Sequence, residues 1–194
     1  MTGFIRRVVT GHDENGKAVI LSDGLAPNIY SNSLRPGHRS TDIWKTTQMP
    51  APISRSEPDP IVGQDFVPPM GVKIRISELE PEAESIRSLS SEQVSEWYKS
   101  AGHTTSSAHG HGGRHTLMHR TETIDYAVVL EGEMTCVMDD QDIVLKQGDV
   151  LIQRGTNHAW SNRSGKRVRM LYILIDGRFD DELKSLFATG QDGK

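Results

Sequence analysis

At 194 residues and 21.5 kDa the chain has room for one decorated domain with a sizeable core and is short for two. With 35% hydrophobic and 25% charged residues and a net charge of -4 spread without long runs, the composition is globular and argues against nucleic acid or a membrane surface as the main partner. The lone Cys136 excludes an internal disulfide and a multi-cysteine zinc site, and with no run of eighteen apolar residues and no signal-type stretch in "MTGFIRRVVTGHDENGK" a cytoplasmic location is expected.

The first element is a hairpin: "IRRVVTGHDENGKAVIL" sets two β-branched runs around Asn15-Gly16, a dipeptide suited to a tight turn. All nine prolines fall between Pro27 and Pro81. Proline removes a ladder donor, so the first half is expected to be largely loop and edge, leaving the second half free to form continuous sheet. Within the first half, "VKIRISEL" alternates Val72, Ile74 and Ile76 against Lys73, Arg75 and Ser77, the pattern of a half-buried strand. In "SSEQVSEWYKSAG", Ser90 and Gln93 form a capping box, and Val94, Trp97 and Tyr98 share a face, so a short helix follows. "HTTSSAHGHGG" is small, polar and glycine-rich, a loop.

From residue 114 short apolar runs recur at even spacing: "YAVVLEGEMTCVM", "DIVL", "DVLIQ", "AWSN" and "VRMLYILI". Many short strands at intervals of roughly 8 to 12 residues mark an all-β sandwich or barrel, and no room remains for the helices of a parallel α/β sheet. Cys136, Met118, Met134, Met138 and Met170 sit in these apolar runs and are expected in the core. At the C-terminus Asp180 can cap a helix with Leu183, Leu186 and Phe187 on one stripe, packed on the barrel. The expected organisation is 1–80 for hairpin, proline-rich loop and strands completing or bracing the barrel, 81–113 for helix and loop, 114–178 for the barrel core and 179–194 for helix and tail.

The spacing across residues 113 to 162 resembles the cupin superfamily. "GRHTLMHRTETIDYAVVLEG" places Gly113, His119, Thr121, Asp125 and Gly132 at the spacing of the first cupin signature, G-x5-H-x-H-x3-4-E-x6-G. "GDVLIQRGTNHAWSN" supplies Gly148, Gly155, His158 and Asn162 of the second, one residue short after Gly148 and with Gln153 where proline is usual. Both signatures, in order, make the match specific over about a third of the chain. The stretch "MHRTETIDYAVVLEGEM" is also similar to a subgroup of small single-domain cupins, some beside fungal polyketide pathways and described as oxidoreductases. The resemblance implies a double-stranded β-helix, a jelly-roll barrel, with an N-terminal β arm, and a homodimer in which that arm can cross to the second subunit.

In cupins two histidines and the glutamate of the first signature, with the histidine of the second, hold a divalent ion. Carried over, His119, Asp125 and His158 match ligand positions, while Thr121 replaces the second histidine and Asp125 is one methylene shorter than glutamate. Two imidazoles and a carboxylate are the set of facial-triad Fe(II) sites, so Fe(II) is favoured, with zinc, manganese and nickel as alternatives. The function implied is a metal-dependent oxidoreductase, dioxygenase-like, acting on an oxygenated, aromatic or polyketide-like small molecule. Without metal, Asp125 beside His119 or His158 makes an acid and base pair, suited to an isomerase, dehydratase or decarboxylase, and a non-catalytic ligand-binding barrel is the third reading. In the strand register His115 and Thr121 share the face of His119, and Trp160 that of His158, so these three are candidates for the substrate pocket, while Tyr126 points away. His109 and His111 lack a carboxylate at the required offset and, like His103, belong to the loop.

Overall fold

The computed structural model describes residues 4–31, 35–55, 66–100 and 113–189; His103, His109 and His111 lie outside the described residues. The N-terminal hairpin pairs β1 (Arg6–His12) with β2 (Ala18–Leu25). Asp13 closes its turn by accepting the backbone N–H groups of Asn15 and Lys17 at 2.9 Å each, and Gly16 takes φ 76°, the left-handed region that glycine enters without a Cβ clash.

Nine further strands complete the molecule: β3 (Asn28–Ser31), β4 (Arg39–Thr46), β5 (Val72–Leu79), β6 (Thr123–Glu131), β7 (Glu133–Met138), β8 (Asp142–Lys146), β9 (Val150–Arg154), β10 (His158–Ser161) and β11 (Val168–Asp176). They form a six-stranded sheet in the order β3-β4-β5-β11-β6-β9 and a three-stranded sheet in the order β10-β7-β8, every pairing antiparallel. This is the all-β architecture expected from the strand spacing and the jelly roll that the resemblance implies, and it recruits β3 to β5 from the proline-containing half. The inward apolar positions of the two sheets meet in a core of Ala127, Val129, Met134, Leu145, Met170 and Tyr172, with Leu79, Val168 and Leu174. Cys136 is fully buried as a free thiol.

Helix α1 (Ser91–Ser100) begins at the capping box: the Ser90 N–H donates to Gln93 Oε1 at 2.9 Å and the Gln93 N–H to Ser90 Oγ at 3.3 Å. Its buried residues Val94 and Tyr98 pack on Ile86, Leu117, Met118, Val137 and Ala159, forming a second core on the short sheet. Helix α2 (Asp181–Ala188) is capped by the Asp180 carboxylate, which accepts the Leu183 N–H. The expected stripe on α2 is a partial contact. Leu183 and Leu186 are exposed, while Phe187 meets Phe179 and the Arg120 guanidinium, 3.6 Å from its ring centroid. Among the described residues no helix is long and apolar enough to cross a membrane.

The alternation of β5 holds, but the buried face is the polar one. Lys73 and Ser77 are buried, and Arg75 lines the interior cavity. Inside the barrel Asp42 of β4, fully buried, accepts from Lys73 Nζ at 2.8 Å and Arg75 Nε at 2.7 Å. Charge is tolerated there because each group meets a partner of opposite sign; an unpaired buried charge would not persist. Val72, Ile74 and Ile76 consequently face outward. Register places Ile74 beside Ile173, Ile173 beside Tyr126 and Tyr126 beside Ile152, an apolar outer row whose far end is open, with Tyr126 38% and Ile152 52% exposed.

Removing one partner from this interior triad strands the others. Asp42→Asn is expected to destabilise the fold by roughly 3–5 kcal/mol, read as a lower urea midpoint; an unchanged midpoint would show that the triad does not hold β4 to β5.

Candidate functional site

Segment 113–122 enters the barrel as a turn and then pairs by a single bridge. The His119 N–H donates to the His158 carbonyl and the His158 N–H to the His119 carbonyl, both at 2.9 Å. This reciprocal pair sets the imidazole centroids 4.4 Å apart, with both rings on one cavity of about 110 Å³. Each ring is oriented from behind. His158 Nδ1 lies 2.9 Å from the Thr156 carbonyl and His119 Nδ1 3.1 Å from the Leu117 carbonyl. A carbonyl only accepts, so each Nδ1 carries a proton and each Nε2 the lone pair.

Two further side chains fix this arrangement. The Gln153 amide N–H donates at 2.8 Å to the Thr156 carbonyl, the acceptor of His158 Nδ1; the position where cupins usually carry proline here braces a histidine through that carbonyl. Tyr98 of α1 donates its hydroxyl to the Leu117 carbonyl at 2.5 Å and receives His119 Nδ1 at 2.8 Å. Burial raises the Tyr98 phenol far above the usual tyrosine range, so it stays protonated. Burial likewise depresses His158 to about 4, against the hydrogen bond to Thr156, and it is neutral near pH 7.

Asp125 lines the same cavity from β6, with Gln153 and Leu174 as its cross-strand neighbours. Its Oδ1 is buried without a hydrogen-bond partner. Burial pushes its carboxyl up to about 7, opposed by a hydrogen bond from the Thr123 hydroxyl. A carboxyl titrating near neutrality can both give and take a proton. The three residues expected from the sequence therefore share a cavity, while among the described residues no group of three His, Cys, Asp or Glu side chains is gathered as a metal site.

The pocket candidates divide. Trp160 lines the cavity, edge-on to His158 at 5.7 Å. Thr121 does not. It is buried with its hydroxyl 2.8 Å from that of Thr123, so a strand-register argument carried through this turn fails. His115 is also outside the cavity; its Nε2 pairs with Glu82 at 2.9 Å, because the chain turns at residues 115–117 instead of running as a strand. Tyr126 faces outward. Sequence reasoning missed Arg35, His38, Arg75, Tyr172 and Tyr98 as cavity walls. All five come from outside the two signatures, and for Tyr98 the available signal was the helix face it shares with Val94.

Residues 103–174 match the family model described as Cupin domain. Phomopsin biosynthesis cluster protein C' of Diaporthe leptostromiformis is 50% identical over 68 residues, 34% of this chain and 36% of that protein. The match therefore spans about a third of that relative. The cupin-domain-containing oxidoreductase fogC of Aspergillus ruber is 26% identical over 178 residues, 88% of this chain and 71% of that protein. Among solved structures, a putative ethanolamine utilization protein q from Salmonella typhimurium overlays with a TM-score of 0.43 at 13% identity, covering 91% of this chain and 99% of that one. The Schizosaccharomyces pombe Cnp3 cupin domain gives 0.42 at 11% identity, covering 95% and 93%. With both signature histidines and their flanking glycines inside the matched segment, the chain carries a cupin domain over residues 103–174.

Proposed function

We propose that this chain is a cupin-type small-molecule enzyme that encloses an oxygenated aromatic compound in the barrel and exchanges protons with it through Asp125, His119 and His158. The observation that carries this reading is the buried, unpartnered Oδ1 of Asp125 on a cavity shared with two braced imidazoles. Buried polar groups are normally satisfied. A carboxyl left open toward a cavity is suited to hydrogen-bonding a ligand oxygen and passing it a proton. The walls support an aromatic occupant: Phe66, Trp97, Tyr98, Trp160 and Tyr172 surround the space. An oxidoreductase-like role is favoured by relatives such as fogC of Aspergillus ruber and virC of Hypocrea virens, both named cupin-domain-containing oxidoreductases. The isomerase, dehydratase or decarboxylase reading uses the same residues for proton transfer without net redox change.

A divalent ion, Fe(II) first and zinc, manganese or nickel after it, is a second reading. It is favoured by the Nδ1 protonation of both histidines, which leaves Nε2 as the donor atom. It needs donors besides the three named residues acting as one set. The homodimer belongs to the same proposal, supported by the open apolar row on the outer sheet face.

Two outcomes are expected. With a panel of single-ring phenols and aromatic aldehydes, monitored for oxygen uptake and product, Asp125→Asn should lower turnover of any accepted compound about 100-fold or more while its binding, read from tryptophan fluorescence, changes little. Full turnover in that variant would remove Asp125 from the chemistry. Metal analysis of anaerobically purified wild type, His119→Ala and His158→Ala decides the second reading: stoichiometric metal lost in both variants supports it, and none after reconstitution ends it.

The raised Asp125 carboxyl also sets a pH dependence. The folded state binds this proton more tightly than the unfolded chain, so Asp125 costs stability as pH rises from its ordinary value of 3.8 to about 7. His158 acts oppositely, costing stability as pH falls from 6.5 to about 4. Asp125→Asn should therefore be more stable than wild type at pH 8 by on the order of 2–4 kcal/mol, with the gap closing toward pH 4, measured by urea unfolding across that range.

A further inference from the structure

The cavity wall carries a guanidinium, that of Arg35, that no described carboxylate pairs with. Arg35 enters from the turn before β4, where its carbonyl accepts the His38 N–H at 3.0 Å. Its Nη2 donates to the Trp160 carbonyl at 2.7 Å, which fixes the guanidinium against the wall. Among the described residues no carboxylate pairs with it. Glu82 acts on it only at longer range and is held by His115. The second cavity guanidinium, Arg75, differs in being paired, to the Asp42 carboxylate. Asp125 is the one acidic side chain among the cavity-lining residues described.

His38 stands beside Arg35 with a matching vacancy. Its Nε2 lies 3.1 Å from Ser40 Oγ, which lies 2.8 Å from Ser77 Oγ, while its Nδ1 is buried without a partner. With Ser77 donating to Ser40 and Ser40 to Nε2, the tautomer the proposal requires, Nδ1–H is left as a donor. Burial, then the charges of Arg35 and Arg75, hold His38 neutral at about 3, so it meets a ligand as a neutral donor. A guanidinium edge and an imidazole N–H on one wall, with tryptophans on the flanks, are complementary to a carboxylate attached to an aromatic ring.

Resting on the reading of the barrel as a small-molecule site, we propose that Arg35 and His38 form a carboxylate-binding subsite, so that the chain takes single-ring aromatic acids in preference to their neutral counterparts. The anionic group is held at the Arg35 end, and the ring extends toward Trp160 and the histidine pair.

The test uses benzoate and its neutral isostere benzamide, titrated against the full chain with quenching of tryptophan fluorescence as readout, since Trp97 and Trp160 both line the cavity. Wild type should bind benzoate at least 10-fold more tightly than benzamide, a comparison that needs no variant. Arg35→Met should bring benzoate down to the benzamide level and leave benzamide within twofold. Arg35→Lys should keep part of the preference, and His38→Ala should weaken benzoate several-fold. Equal binding of the two probes to wild type, or a preference surviving Arg35→Met, overturns the subsite while leaving the cavity reading intact. Binding of neither probe overturns both.

Discussion

The Asp42 carboxylate between Lys73 and Arg75 decides which way the large sheet faces. On β5 charged and β-branched residues alternate, and a period of two is indifferent to which set turns inward. A lysine and an arginine could not enter without an anion to meet them. Asp42 on β4 supplies it, with contacts of 2.8 and 2.7 Å, and the apolar set is left on the outside. The interior thus becomes a lined cavity instead of a filled core. The same inversion produces an outer row of isoleucines and a tyrosine, whose exposure follows from the needs of the interior.

Within that interior the groups are held with unequal firmness. The histidine pair is fixed three ways: by reciprocal backbone hydrogen bonds, by carbonyls on each Nδ1, and by Tyr98 on His119 and Gln153 on the carbonyl that holds His158. Asp125 has its position set by β6 but keeps a bare oxygen. Such division suits chemistry in which one partner must stay still while another exchanges a proton, because orientation is settled before the ligand arrives.

What was legible in the sequence follows from which signals are local. Strand spacing after residue 114, the Ser90–Gln93 box, the Asp180 cap and the Asn15-Gly16 turn are each decided by residues a few positions apart, and each appears in the structure. The signature positions His119, Asp125 and His158 fall on one cavity because fixed spacing on paired strands fixes which side chains converge. The face of β5 was not legible, since it depends on Asp42, which is some thirty residues away. His115 and Thr121 were misplaced by extending strand alternation through a turn. Arg35 and His38 carry no local mark: "LRPGH" reads as an ordinary turn, and only the barrel's closure turns it toward the histidines.

Tyr98 couples a ten-residue helix to the orientation of His119 through a single hydroxyl. Helices of that length do not persist in water unaided; this one depends on its capping box and on the packing of Val94 and Tyr98. The alignment of an imidazole deep in the barrel is therefore tied to how often the first turn of a surface helix frays. Ser90 and Gln93, on the exterior, sit at the far end of a lever whose short arm is the His119 ring. Changes there can retune the site without touching a residue that meets the ligand, a route by which close relatives could diverge in rate while keeping identical cavity walls.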